Sequence, residues 1–161
     1  YARFASHYYI DPKSTDDNVF DLCYSAKYYC PFGNSGFTLI PQVYGRYTSF
    51  GLYPFLWNFY GGQVAGRHFD VQLPFVGSDP LREATDNFAV VRLDLRYRFM
   101  DNHYLTGMYN IALNLSGIED HENGVGLMYS YNSFIGPISL MAQWGETSKQ
   151  LSGYLSVGYY F

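Results

Sequence analysis

The sequence predicts an all-β fold, an antiparallel meander of eight strands that forms a transmembrane β-barrel. Three observations point there. Apolar residues recur at every second position through most of the chain, with turn-forming clusters between the runs, which is the period of a strand. Aromatics are abundant and charges scarce: 18 Tyr and 13 Phe help bring the aromatic fraction to 20%, against 15% charged. A soluble domain of ordinary composition carries more charge on its surface. The connectors alternate between tight turns and longer polar loops, the asymmetry of a barrel that crosses a membrane.

The first strand, about 1–10, sets Ala2, Phe4, Tyr8 and Ile10 against Arg3, Ala5, His7 and Tyr9. The polar loop DPKSTDDN follows. The second, about 19–30, sets Phe20, Leu22, Tyr24, Ala26 and Tyr28 against Asp21, Cys23, Ser25 and Lys27, and PFGNSG turns the chain. The third, about 37–49, sets Leu39, Pro41, Val43 and Tyr47 against Thr38, Gln42, Tyr44, Arg46 and Thr48. A long segment, 50–86, breaks the rhythm. The fourth strand, about 87–99, is the clearest: Ala89, Val91, Leu93, Leu95, Tyr97 and Phe99 face one way, and Arg92, Asp94, Arg96 and Arg98 the other.

After the tight turn MDNH, the fifth strand, about 103–115, sets Leu105, Tyr109, Ile111, Leu113 and Leu115 against Thr106, Met108, Asn110 and Asn114. GIEDHEN reads as a solvated loop. The sixth, about 123–132, sets Val125, Leu127, Tyr129 and Tyr131 against Gly126, Met128 and Ser130. NSFIGP turns into the seventh, about 136–145, with Ile138, Leu140, Ala142 and Trp144 against Ser139, Met141 and Gln143. The eighth, about 151–161, sets Leu155, Val157, Tyr159 and Phe161 against Ser152, Tyr154, Ser156, Gly158 and Tyr160.

Alternation alone also fits a soluble sandwich. The polar faces argue against it. They carry Gly, Ser and Asn, and one of them carries the Arg92, Asp94, Arg96, Arg98 row. A dry core does not tolerate unpaired charge, which costs several kcal/mol, whereas a wet lumen does. The apolar faces place Tyr, Phe and Trp near strand ends, where an aromatic girdle sits. The expected location is therefore a membrane, with lipid as a partner. The most apolar run, FGLYPFLWNFY at 50–60, is too short to span a bilayer as a helix.

Net charge is −4, and no basic stripe could follow a phosphate backbone, so nucleic acid is not an expected partner. Cys23 and Cys30 sit at odd spacing in one predicted strand and face opposite ways, so no disulfide between them and no zinc site is expected. The acidic loop GIEDHEN could offer oxygen ligands but reads as solvated surface, and His7, His68 and His103 lack ligand spacing. No metal or cofactor is expected. GNSGF, around Ser35, lacks the G-x-S-x-G frame of a nucleophile elbow and reads as a turn, so no catalytic centre is expected in this chain. The chain starts inside a strand, with no signal peptide, as though more protein precedes it.

A loop as long as 50–86 inside a regular meander is usually functional. Its text NFYGGQVAGRHFDVQLPFVG resembles the lumen-inserting loop of the BamA/TamA-like superfamily, the bacterial surface antigen barrels. Gly61 and Gly62 match the glycine pair of that loop. Arg67 matches the motif arginine, although Gly66 precedes it and His68 follows it where the family has Gly. GVGLMYSYNSFIGPISL at 124–140 is similar to a late hairpin of the same superfamily. HFDVQLPFVG with LDLRYRFMDNHYLTGMYN is most similar to the barrel that follows the hydrolase domain in patatin-like proteins of Bacteroidetes.

The resemblance implies a sixteen-stranded barrel of the bacterial outer membrane whose long loop joins strands eleven and twelve. The eight strands here would then be the ninth to sixteenth. The upstream half of the same barrel, or a second copy, would supply the rest. A self-closed barrel of eight strands would be filled by its own side chains and leave no room for such a loop. The whole chain, 1–161, reads as one partial barrel domain with 50–86 directed into the lumen.

Three functions remain. The first is an anchor and translocator for an upstream patatin-like lipid hydrolase. The second is a BamA- or TamA-like assembly factor. The third is a self-closed structural or adhesive barrel. The resemblance also implies that Val157, Tyr159 and Phe161 form the C-terminal signal read by the outer-membrane assembly machinery. Arg67 is expected to reach Asp94 in the Arg92, Arg96, Arg98 row and pin the loop, because a planar guanidinium suits a bidentate carboxylate bond.

Overall fold

The computed structural model describes residues 1–9, 19–49, 58–62, 72–78, 82–84, 87–114 and 121–158. They form strands β1 (Ala2–Tyr9), β2 (Val19–Lys27), β3 (Cys30–Pro31), β4 (Phe37–Thr48), β5 (Asn58–Tyr60), β6 (Gln72–Leu73), β7 (Arg82–Ala84), β8 (Phe88–Met100), β9 (His103–Asn114), β10 (His121–Ser133), β11 (Gly136–Gly145) and β12 (Leu151–Val157). The main sheet runs β1-β2-β4-β8-β9-β10-β11-β12, with β3 also on β4. Neighbours in that order pair antiparallel, and β4 passes over the 50–86 segment to meet β8. This is the expected eight-strand meander.

The faces divide as the alternation predicts. Val91, Leu93 and Leu95 of β8, Leu127 of β10, Leu140 of β11 and Leu155 of β12 all point outward and are exposed. Asp21, Arg46, Arg92, Asp94, Thr106, Asn110, Glu122 and Gln143 point inward and are buried. Polar residues inside and aliphatic residues outside invert the soluble rule and fit a strand with lipid on one side. From Ala89 to Phe99, β8 covers about 34 Å of path, or about 26 Å of depth at a strand tilt of about 40°. That matches the hydrocarbon band of an outer-membrane barrel.

The tight turns lie at one end. Residues 101–102 join β8 to β9, and Asn102 takes φ 65°, the left-handed conformation that Asn tolerates. Residues 134–135 join β10 to β11. Aromatic rings gather beside these turns on the outer face. Phe37 stacks on Tyr97 at 4.3 Å, His103 on Tyr131 at 4.7 Å, and His103 Nδ1 lies 2.7 Å from the Tyr129 hydroxyl. These are the expected girdle positions.

The structure corrects the sequence reading at several points. The second strand is interrupted: β2 ends at Lys27, and β3 resumes in the same register, Lys27 on Gln42 and Cys30 on Leu39. Tyr28 N–H donates to Pro41 O at 3.0 Å, but Pro41 has no N–H to return the bond, so the ladder breaks there. The 50–86 segment contains strands that its irregular text did not announce: β5 pairs parallel with β6 and antiparallel with β7. The sheet is open among the described residues, since β1 and β12 are its ends. The pairing of 1–10 with 151–161 that a self-closed barrel requires is not formed among them.

Candidate functional site

The inner face of β4, β8, β9, β10 and β11 carries a seat for Gln72–Ser78. Two glycines prepare the approach. Gly61 and Gly62 take φ 124° and 70°, where a side chain would strain the backbone. They let Gly61 N–H donate to Leu73 O at 3.0 Å and Gly62 O accept from Phe75 N–H at 2.9 Å. Gln72 Nε2 donates to Gly61 O at 2.9 Å. The segment thus becomes a short ladder that points its next residues at the wall.

The wall meets the backbone of those residues with side chains. Tyr44 of β4 donates its hydroxyl to Pro74 O at 2.6 Å. Asn110 of β9 takes both polar atoms of Val76: its Oδ1 accepts from Val76 N–H at 2.8 Å and its Nδ2 donates to Val76 O at 3.1 Å. Ser148, after β11, donates to Gly77 O at 3.1 Å, and Gln143 Nε2 donates to Ser78 O at 3.1 Å. A backbone that leaves water must have its groups paired, and four side chains of the wall do the pairing.

Three glycines let the segment come this close. A methyl group on Gly124 of β10 would overlap Val76 O, and one on Gly145 of β11 would overlap Gly77 O. One on Gly126 would stand 2.6 Å from Val76 Cγ1. Gly124 and Gly145 are cross-strand partners, so they open one groove. Gly77, at φ 98°, lies in it, and its own added methyl would meet Trp144 O at 2.6 Å. Two side chains then diverge. Phe75 enters a cluster with Tyr44, Tyr60, Phe88, Val90 and Ala112. Val76 packs with Met108 and Met141, flanked by Met128 and Tyr154.

Polar groups frame the seat. Arg92 holds Asp94 in a fork, Nε to Oδ1 at 2.7 Å and Nη2 to Oδ2 at 3.1 Å, and Gln42 Nε2 donates to Asp94 Oδ2 at 2.8 Å. Two residues apart on one face of β8, the pair shares a side of the sheet, as alternation requires. Arg46 Nε and Asp21 Oδ1 lie 2.6 Å apart, with both side chains 1% exposed. Tyr60 donates its hydroxyl to Glu122 Oε2 at 2.7 Å. Glu122 corrects the reading of GIEDHEN as a solvated loop. β10 begins at His121, and the same parity that points Gly124 and Gly126 inward points Glu122 inward too.

Of the residues singled out from the sequence, Gly61 and Gly62 shape the approach, and Arg92 and Asp94 bind each other beneath the seat. Arg96 lies further toward the tight turns, its guanidinium 5.9 Å from the Tyr104 ring. Arg98 is exposed, and its backbone N–H donates to Gly36 O at 2.9 Å. Gly66 and Arg67, and with them the expected bond from Arg67 to Asp94, lie outside the described residues. So do Tyr159 and Phe161. Val157 is on the outer face opposite Ile138, 58% exposed.

Sequence reasoning missed Tyr44, Asn110, Gly124, Gly145, Gln143 and Ser148. One signal pointed to some of them. In antiparallel register Asn110 faces Gly124, and Gly124 faces Gly145, so an amide and two glycines line up across three strands.

A family model of the OMP85 superfamily matches residues 54–161, roughly two thirds of the chain. No curated protein and no solved structure gives a significant match. The matched region begins in the long segment and runs through the wall that receives it. An open antiparallel sheet with an apolar outside, a polar inside and a segment seated on the inner wall is the architecture a barrel of that kind needs. The chain belongs to the OMP85 superfamily, which makes it an outer-membrane β-barrel protein.

Proposed function

We propose that this chain is the C-terminal half of a sixteen-stranded barrel that anchors, and exports, an upstream patatin-like hydrolase domain, with the 50–86 segment as a fixed plug. The observation that carries the half-barrel reading is the occupied inner face. Phe75 and Val76, both 0% exposed, sit where a closed eight-stranded barrel has only its own side chains. An open sheet that hosts such a segment needs further strands at β1 and β12, because lipid satisfies no strand edge. The upstream half of the barrel or a second copy supplies them. The plug reading draws support from the clamp, which holds four of the five residues from Pro74 to Ser78 (Pro74, Val76, Gly77 and Ser78) with side chains from β4, β9, β11 and the segment after β11.

The anchoring role draws on the resemblance of HFDVQLPFVG and LDLRYRFMDNHYLTGMYN to patatin-like barrels. It assigns catalysis to residues before Tyr1. Ser35 is consistent with that, since it sits in the turn before β4 and its hydroxyl donates to Phe32 O at 2.6 Å. Folding of the barrel uses the outer-membrane assembly machinery, and its location is the bacterial outer membrane.

The test is the intact mass of the protein extracted from its native membrane, with labelling by a fluorophosphonate serine probe. A mass well above 18.5 kDa with a labelled serine outside these residues supports the anchor. A large mass with no labelled serine, and loss of other outer-membrane proteins on depletion, would favour the assembly factor. A mass of 18.5 kDa would leave only the second-copy version of the barrel.

A further inference from the structure

On the turn side of the seat, the inner wall changes character. Register and parity put Arg96 and Arg98 of β8 on the inner face there, with Lys27 of β2 on the same face in the row of Gln42 and Arg92. The nearest carboxylate on that face, Asp94, is already held by Arg92 and Gln42. Asp21 and Glu122 lie toward the opposite end, held by Arg46 and Tyr60. Among the described residues, no ion pair reaches Lys27, Arg96 or Arg98. Aromatic faces support two of the three cations: Lys27 Nζ is 5.3 Å from the Tyr29 ring centroid, and the Arg96 guanidinium is 5.9 Å from that of Tyr104. A guanidinium over a ring keeps its N–H edge free for an oxyanion. Directly across from Arg96 in register stands Thr106, whose hydroxyl is buried with no hydrogen-bond partner.

We infer that this turn-side vestibule binds small oxyanions of the phosphoryl or carboxylate class and makes the lumen anion-selective, with Arg96 and Arg98 as the selecting residues. The chain is acidic overall, with net charge −4, so an unpaired cationic patch on the lumen wall does not follow from composition. Arg96 and Arg98 are two residues apart on one face, about 7 Å along the strand, so one multivalent anion can bridge them. Rings of Arg and Lys are how pores select anions. The inference rests on the proposed reading of this chain as half of a barrel, with ions passing beside the seated Gln72–Ser78 segment.

The experiment is planar-bilayer recording of the full-length protein in a KCl gradient, with Arg96→Gln/Arg98→Gln as the variant and Lys149→Gln, at the loop end, as the control. The expected result is a chloride-to-potassium permeability ratio above one in the unaltered protein. It should fall by about threefold or more in the double variant and hold in the control. A conducting protein without anion preference, or a preference that survives the double variant, overturns the inference and leaves the pore reading intact.

If no form conducts, the pore reading fails, and arginine modification decides the binding site by itself. Phenylglyoxal labelling of Arg96 and Arg98 in the unaltered protein, read by peptide mass, should slow about fivefold or more with inorganic pyrophosphate, while Arg3 labelling does not. Equal labelling with and without pyrophosphate overturns the inference.

Discussion

The Asn110 carboxamide binds Val76 as a neighbouring strand would, accepting from its N–H at 2.8 Å and donating to its carbonyl at 3.1 Å. One side chain thus replaces a rung of ladder for a backbone that has left the sheet. Asn110 is 0% exposed, so neither Val76 group has water to fall back on. Asn110→Ala should cost about 2–4 kcal/mol, from two lost bonds and two buried groups left unpaired. Asn110→Asp loses the donor and, when ionised, sets an unpaired buried charge against the Val76 carbonyl, so it should cost at least as much. Heat-dependent gel mobility and sensitivity to limited proteolysis check both. Wild-type behaviour of Asn110→Ala would remove the clamp from the account.

Gly124 and Gly145 allow the contact that Asn110 secures. Gly124→Ala and Gly145→Ala should each displace Val76–Gly77 and destabilise by about 1–3 kcal/mol, the usual cost of overpacking. Gly107→Ala is the control: nothing lies within 4 Å of the added carbon, so stability should hold. Gly153→Ala meets only an ordinary contact, Met141 O at 3.5 Å, and should hold too. Thermal unfolding in detergent ranks the four. Equal losses at Gly107 and Gly124 would mean that the strands, not the seat, need glycine.

The faces of every main-sheet strand were legible in the sequence, because side-chain direction flips at each residue and lipid tolerates few polar groups on its side. Pro41 was legible as a member of a strand but not as the cause of its neighbour's break, which needs the pairing partner to be known. The seat was not legible. Its bonds join residues 34 apart at Asn110, 65 at Gln143 and 71 at Ser148, and no local period encodes a distance. Glu122 was misplaced for a related reason: acidic neighbours read as loop, and only the partner Tyr60, 62 residues away, explains a buried carboxylate. The motif around Arg67 drew notice because it resembles a family pattern. LPFVGS, a few residues on, lies within the text that carries the resemblance, yet none of its residues was singled out, and it makes the observed contacts.

The two sides of β8 should respond oppositely to charge. Leu93 is outward and 44% exposed, near the middle of the strand, and Arg there should cost about 2–4 kcal/mol in a bilayer. Arg92, its neighbour, already carries a charge inward at 8% exposure because Asp94 and Gln42 complete its surroundings. Folding yield into vesicles should therefore fall for Leu93→Arg and hold for Leu93→Ile. An unaffected yield for Leu93→Arg would place that side against water or protein.

Asp21 and Arg46 form the most deeply buried ion pair described, on the inner face between β2 and β4. The Arg46 guanidinium holds the carboxylate at 2.6 Å, and the Thr48 hydroxyl lies 3.5 Å from the same oxygen. Arg46→Met leaves a buried carboxylate without its cation and should cost about 3–5 kcal/mol. Asp21→Asn with Arg46→Met removes both charges and should recover much of that loss, since a neutral buried pair avoids the desolvation cost. The readout is a double-mutant cycle on detergent unfolding. Additive losses would show that the two side chains act on the fold independently and that their contact contributes no coupling.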